Sequence, residues 1–211
     1  MSDPEILPDN VLDVIASKIG ARLARAVGAF PAGSVPLGWA RTAKALDEAG
    51  THGGEAPKMG DTFPVYLLDA AVLLRATDDL KELAKPSGRW HHQIKYSGQP
   101  RAYARSAPSG ATPESWSIRE VMESGFAERV GTHYKWAVEN LVGDYKARLL
   151  TVPSYQVEAF WMIDDASGDQ KIVVIDAPTR FRSLKSGAVY TSEGFLQALR
   201  SERPVTGLIS P

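Results

Sequence analysis

Cysteine is absent from this 211-residue chain. That absence removes disulfide scaffolds, thiolate nucleophiles, sulfur-ligated zinc and iron–sulfur clusters together. A metal site would have to use His, Asp and Glu, and histidine is scarce, with four residues in all. An excess of charge is missing too: 24 Lys and Arg stand against 25 Asp and Glu, a formal net charge of −1. The chain as a whole therefore lacks the basic field that draws a protein to nucleic acid or anionic membrane, and argues against either as a partner. Its most apolar stretch, residues 65–74, contains Asp69 and ends at Arg75, well short of the roughly 20 residues needed to span a bilayer. The first residues, Met1-Ser2-Asp3-Pro4-Glu5, are acidic where an export signal is basic, so the expected compartment is cytoplasmic.

Motifs that announce an enzyme are lacking as well. There is no Gly-x-x-x-x-Gly-Lys phosphate loop, no Gly-x-Gly-x-x-Gly dinucleotide turn, no Gly-x-Ser-x-Gly elbow and no His-Glu-x-x-His. His52-Gly53-Gly54 matches part of an esterase oxyanion loop, but without the elbow it reads as a glycine-rich turn. Asp165, Ser167, Asp169 and Asp176 have the spacing of a calcium loop. Gln170 stands where that loop needs Gly, however, and Asp176 where it needs the longer Glu. A plain hairpin turn is the better reading, and no metal site is expected.

What is present is the composition of a folded protein: 44% hydrophobic and 23% charged residues, with five Trp, seven Tyr and six Phe. We expect one compact unit over 1–211, mainly helical in 1–86 and α+β in 87–211. Leu12, Ile15, Ile19, Leu23, Val27 and Phe30 recur at helical steps, with Asp9 or Asn10 as N-cap and Pro31 as stop. A shorter helix over 39–49 closes at Gly50, and 65–84 reads as mainly helical with a fresh start at Thr77-Asp78-Asp79.

From Trp90 the period becomes 2. Trp90, His92, Ile94 and Tyr96 alternate with His91, Gln93 and Lys95, and Ser97-Gly98-Gln99-Pro100 supplies a turn, so 89–106 reads as a β-hairpin. Ser117-Ile118-Arg119-Glu120 matches a capping box and predicts a long helix to about Leu141, bent at Gly125 or Gly131. Strands follow, with Tyr155, Val157, Ala159, Trp161 and Ile163 on one face of the first and 171–175 forming the next; a last helix spans 192–200. The expected fold class is α+β, an antiparallel sheet of at least four strands with helices packed mainly on one face.

The most unusual local feature is charge. Residues 83–113 contain no Asp or Glu, while Lys85, Arg89, Lys95, Arg101 and Arg105 accumulate with both adjacent histidines. A turn that sets Tyr96 opposite Arg101 would place Ile94 against Tyr103 and His92 against Arg105, gathering Trp90, His92, Tyr96, Arg101, Tyr103 and Arg105 as a basic-aromatic face. Such a face suits an anion, clamped by arginine and flanked by a ring. The competing structural reading makes the aromatics the buried side of a sheet with arginines at its rim.

The leading functional expectation is a non-catalytic binding or regulatory protein engaging an anionic small molecule or an acidic protein surface through this hairpin. The alternative is an enzyme acting on an anionic substrate, with His91, His92 or His133 as general acid or base and Arg101 or Arg105 stabilising charge. In that alternative Glu158 is a candidate carboxylate partner.

Overall fold

The computed structural model of the chain describes residues 6–29, 40–51, 55–74, 77 and 79–204. Phe30, Pro31, Trp39, His52-Gly53-Gly54, Arg75 and Asp78, which enter the sequence reading, lie outside them. The helices are α1 (Asp9–Gly28), α2 (Ala40–Thr51), α3 (Leu80–Leu83), α4 (Gly125–Asn140) and α5 (Ser192–Ser201). The strands are β1 (Lys58–Leu67), β2 (Lys85–Tyr96), β3 (Gln99–Pro108), β4 (Trp116–Glu123), β5 (Tyr145–Val152), β6 (Val157–Asp164), β7 (Gln170–Asp176) and β8 (Val189–Thr191). Hydrogen bonding orders them β4-β3-β2-β1-β5-β6-β7-β8. The class is α+β, and the sheet is mostly antiparallel. It departs from the expected all-antiparallel form at β1, which runs parallel to β5, with Val65 opposite Leu149. The long excursion between these strands in sequence permits that direction.

Two compact units are distinguishable, residues 1–62 with 88–131 and residues 63–87 with 132–211.

In the first unit α1 buries Val11, Ile15, Ile19 and Leu23. These pack with Trp90, Ile94 and Tyr96 of β2, Ala102 and Ala104 of β3, and Val121 of β4. The N-cap is Pro8, in extended conformation and with no side-chain cap hydrogen bond, not Asp9 or Asn10; Asp9 sits in the first turn, where the dipole favours a carboxylate. Phe126 of α4 meets the opposite face of the hairpin, edge-on to His91 and Tyr103. Helices therefore reach both faces here, unlike the expected one-sided packing. Gly131 allows α4 to approach the hairpin turn, because a Cβ there would lie 2.4 Å from Cγ of Pro100.

The capping box at Ser117 does not start a helix. Residues 116–123 form β4, whose Ala104–Val121 and Tyr103–Met122 pairings with β3 outweigh a signature satisfied by four local residue types. Ser117 instead donates its hydroxyl to the Ala107 carbonyl. Gly125 begins α4 instead of bending it.

The second unit corrects the helical reading of 65–84. Phe63 and Val65 are buried while Pro64 and Tyr66 are half-buried, the period-2 pattern of a strand, and among the described residues a short 3-10 turn (Ala70–Leu74) and α3 follow. The cap of α3 is Asp79, which accepts from the Lys81 N–H; Thr77 accepts from the Asp79 N–H. Trp161, Val173 and Ile175 lie in β6 and β7 and are buried, as the sequence predicts. One face of these strands, including Trp161 and Val174, packs on Phe195, Leu196 and Leu199 of α5. Phe160 of β6, on the other face, meets Phe63 and Tyr134 of α4. Covered on both sides, β6 and β7 need not alternate, which explains their continuous apolar runs. Tyr155 lies in a 3-10 turn ahead of β6.

Candidate functional site

The hairpin turn contains two residues, Ser97 at φ 48° and Gly98 at φ 76°, the left-handed pair that matches the twist of the flanking strands. Tyr96 consequently faces Gln99 and Lys95 faces Pro100; the register then shifts, so that Ile94 faces Ala102, Gln93 faces Tyr103, His92 faces Ala104 and His91 faces Arg105. The expected pairings of Tyr96 with Arg101, Ile94 with Tyr103 and His92 with Arg105 are not formed. The extra residue is Arg101, which falls between the paired positions Pro100 and Ala102.

The basic-aromatic set is thereby divided. Trp90 and Tyr96 lie in the core beneath α1, and His92, on their side of β2, is buried in a polar chain. Its Nδ1 is 3.1 Å from the Thr62 hydroxyl and its Nε2 is 2.6 Å from that of Ser106. On the other face His91 stacks on Tyr103 with ring centres 5.0 Å apart, and the Arg105 guanidinium sits 5.6 Å from the Tyr103 ring centre.

Hydroxyl, imidazole and hydroxyl in line resemble the parts of a nucleophile and its base. However, Ser106 and His92 are both fully buried, so no substrate reaches the hydroxyl. Burial lowers the His92 pKa from its ordinary 6.5 to about 4 and holds it neutral. His91 is pushed well down as well, by burial first and then by the charge of Arg105. His133 is half-buried on α4, in the second unit, as is Glu158, which accepts from the Thr151 hydroxyl at 2.7 Å.

Three of the cations that the sequence leaves without nearby acids find them in space. Arg101 pairs with Glu128 at 2.8 Å, Arg105 with Glu120 at 3.8 Å and Lys95 with Asp61 at 2.8 Å. Glu120 also accepts from the Tyr103 hydroxyl at 2.9 Å. Buried Gln93, with its amide in the orientation its neighbours require, donates to Asp61 and accepts from the Gly131 N–H. Glu123 receives both the N–H and the hydroxyl of Thr42 in the first turns of α2. The Thr42 hydroxyl lies 2.5 Å from that of Tyr96, whose pKa burial raises to about 12.

Among the described residues, no group of three His, Asp or Glu side chains is placed to hold a metal ion. In the 164–170 turn Asp164 accepts from Ser167, Lys146 pairs with Asp165, and Asp169 takes the Tyr145 hydroxyl, so Asp165 and Asp169 of the calcium-like spacing are engaged by neighbouring side chains, while Asp176 ends β7. No helix among the described residues is long and apolar enough to cross a membrane. Protein-family models, curated proteins and solved structures give no match to the chain.

A second cationic feature was missed by the sequence reading. Lys18, Arg22 and Arg25, at i, i+4 and i+7 on α1, line an open groove of about 750 Å³ with Trp116 and Ile118 of β4. Two of the three are held in place, Lys18 Nζ by the carbonyls of Glu114 (2.7 Å) and Trp116 (2.6 Å), and Arg22 by that of Ile118 (2.6 Å). The contacts to Trp116 and Ile118 cover carbonyls of β4, the end of the sheet order. Among the described residues no carboxylate lies within salt-bridge distance of the three. The helical spacing was visible in sequence; Trp116 and Ile118, some ninety positions away, were not connected to it.

Proposed function

We propose that this chain is a non-catalytic binding protein that engages an acidic polypeptide segment along the groove between α1 and β4. The observation that carries the reading is the line of Lys18, Arg22 and Arg25, which have no carboxylate partner among the described residues, beside Trp116 in that groove. It keeps the anionic ligand class expected from sequence and moves the contact from the hairpin, whose Arg101 and Arg105 are engaged with Glu128 and Glu120. At 1.5 Å rise per residue the three cations are staggered by about 6 and 4.5 Å, the first close to and the second shorter than the roughly 6.8 Å between same-side residues of an extended strand. Two of them are already fixed by backbone carbonyls, which lowers the entropy lost on binding. The same bonds occupy the β4 edge, so recognition runs through side chains and not by adding a strand. The enzymatic alternative has less support, because His91 and His92 are buried.

The test is fluorescence anisotropy with a labelled oligoglutamate peptide. Binding should weaken by about tenfold when Arg25, exposed on α1, is changed to Glu, and should also weaken as salt is raised through physiological strength. The unfolding midpoint should stay within error, since exposed charges contribute little to stability. No binding at low salt, or equal binding by Arg25→Glu, would remove the proposal.

A further inference from the structure

The segment between β7 and β8 turns against the end of α5 in the second unit. There the backbone N–H groups of Arg182 and Ser183 both donate to one carboxylate oxygen of Glu202, at 2.6 Å each. Consecutive amides converging on one oxygen form a concave anion cradle. Arg180, Arg182 and Arg203 line the same pocket, about 690 Å³ in volume, and the Ser183 and Ser201 hydroxyls meet beside it at 2.9 Å. Among the described residues no carboxylate lies within salt-bridge distance of the three guanidiniums, so three cations surround a single internal anion. Glu202 is moreover the residue that ends α5, its own N–H bonded to the Leu199 carbonyl. A helix C-terminus is the negative end of the dipole and disfavours a carboxylate. What holds Glu202 there is the cradle, and the space and positive charge around it exceed what one carboxylate uses.

We propose that this pocket is an oxyanion-binding site for a ligand carrying a phosphate or carboxylate group, with the Glu202 side chain as an internal occupant that the ligand displaces. Amide donors and guanidinium forks match the tetrahedral oxygens of phosphate and the planar pair of a carboxylate alike. An occupant tethered to the site competes at high effective concentration, so wild-type affinity is held down and removal of the tethered charge raises it.

The test is a titration of the full-length protein with inorganic phosphate, and separately with acetate, followed by the amide NMR resonances of Arg182 and Ser183. In wild type both resonances should move. In Glu202→Gln, which keeps an acceptor in place, half-saturation should come at about tenfold lower phosphate. In the triple variant Arg180→Ala, Arg182→Ala and Arg203→Ala, whose side chains are exposed, the response should be lost with the fold intact by circular dichroism. A stronger response to phosphate than to acetate marks a phosphoryl ligand, and the reverse a carboxylate ligand. Resonances that stay fixed in both wild type and Glu202→Gln, or that move equally in the triple variant, would overturn the site. Should Glu202→Gln not fold, the wild-type and triple-variant titrations decide it. None of these changes touches the α1 groove, so the oligoglutamate result stands or falls separately.

Discussion

Two glycine-to-alanine substitutions in helices should change stability in opposite directions. Gly20 sits in α1 with no atom beyond its chain neighbours and the helix's own backbone within 4 Å of where a Cβ would be. Replacing it by Ala removes the backbone entropy penalty of Gly and should stabilise the protein by about 0.5–1 kcal/mol. Gly131 in α4 has the same propensity to gain. Its added Cβ, however, would lie 2.4 Å from Cγ and 3.0 Å from Cβ of Pro100, and 3.4 Å from the Gln93 amide oxygen in the orientation its neighbours require. Ring pucker can move the Pro100 Cγ, but its Cβ is tied to the hairpin backbone. The helix must therefore shift away, with an overpacking cost of about 1–3 kcal/mol. The shift also stretches the hydrogen bond from the Gly131 N–H to Gln93, a net contribution of about 1 kcal/mol. Set against a propensity gain of about 1 kcal/mol, Gly131→Ala should lose about 1–3 kcal/mol. Urea unfolding followed by circular dichroism reads both variants: the Gly20→Ala midpoint should rise, the Gly131→Ala midpoint should fall, and the slope should stay constant. A Gly131→Ala protein as stable as Gly20→Ala would refute the close packing of α4 on the hairpin turn.

Stability should also depend on pH through His92. Its folded pKa of about 4 lies below the ordinary 6.5, so between these values the unfolded chain binds a proton that the folded chain refuses. The stabilisation is complete above pH 6.5 and is lost as pH falls towards 4, by about 3 kcal/mol if the unfolded value is ordinary. Urea midpoints measured across that window should show a shallower decline in His92→Gln than in wild type, and equal slopes would count against a buried neutral imidazole. In the second unit, Trp161→Ala removes a buried ring, its hydrogen bond to Gln170 and the surface over which Arg148 lies at 4.6 Å. The loss should be about 3–5 kcal/mol, and an unchanged midpoint would overturn the assignment of β6 to the core.

Segments with strong local patterns were legible in the sequence. The stripe of Ile15, Ile19 and Leu23, the alternation through Trp90 and Tyr96, and the pattern over 192–200 each led to the observed element. The failures share a cause. At Ser117 and over residues 65–74, local signals for a helix competed with pairing partners far away in sequence. Val65 is held opposite Leu149 and Val121 opposite Ala104, and neither pairing leaves a mark within a short window. Pro64 further obscured β1, since proline within an apolar run argues against a strand.

The site was misread for a sharper geometric reason. A strand alternates its side chains between faces, so one unpaired residue is enough to reverse which groups stand together. The hairpin's residue composition was visible, but the two-residue turn and the extra Arg101 decided its faces, sending His92 to Ser106 and Arg105 to His91. The acid-free run misled in a different way. Charge is balanced in three dimensions, and Asp61, Glu120 and Glu128, all outside residues 83–113, neutralise Lys95, Arg105 and Arg101. A run of one sign in sequence is therefore not a charged surface until its partners are known. The converse holds for α1, where Asp9 and Asp13 share the helix with Lys18, Arg22 and Arg25. Sequence shows a mixed helix there, whereas the groove gathers only its cationic end beside Trp116.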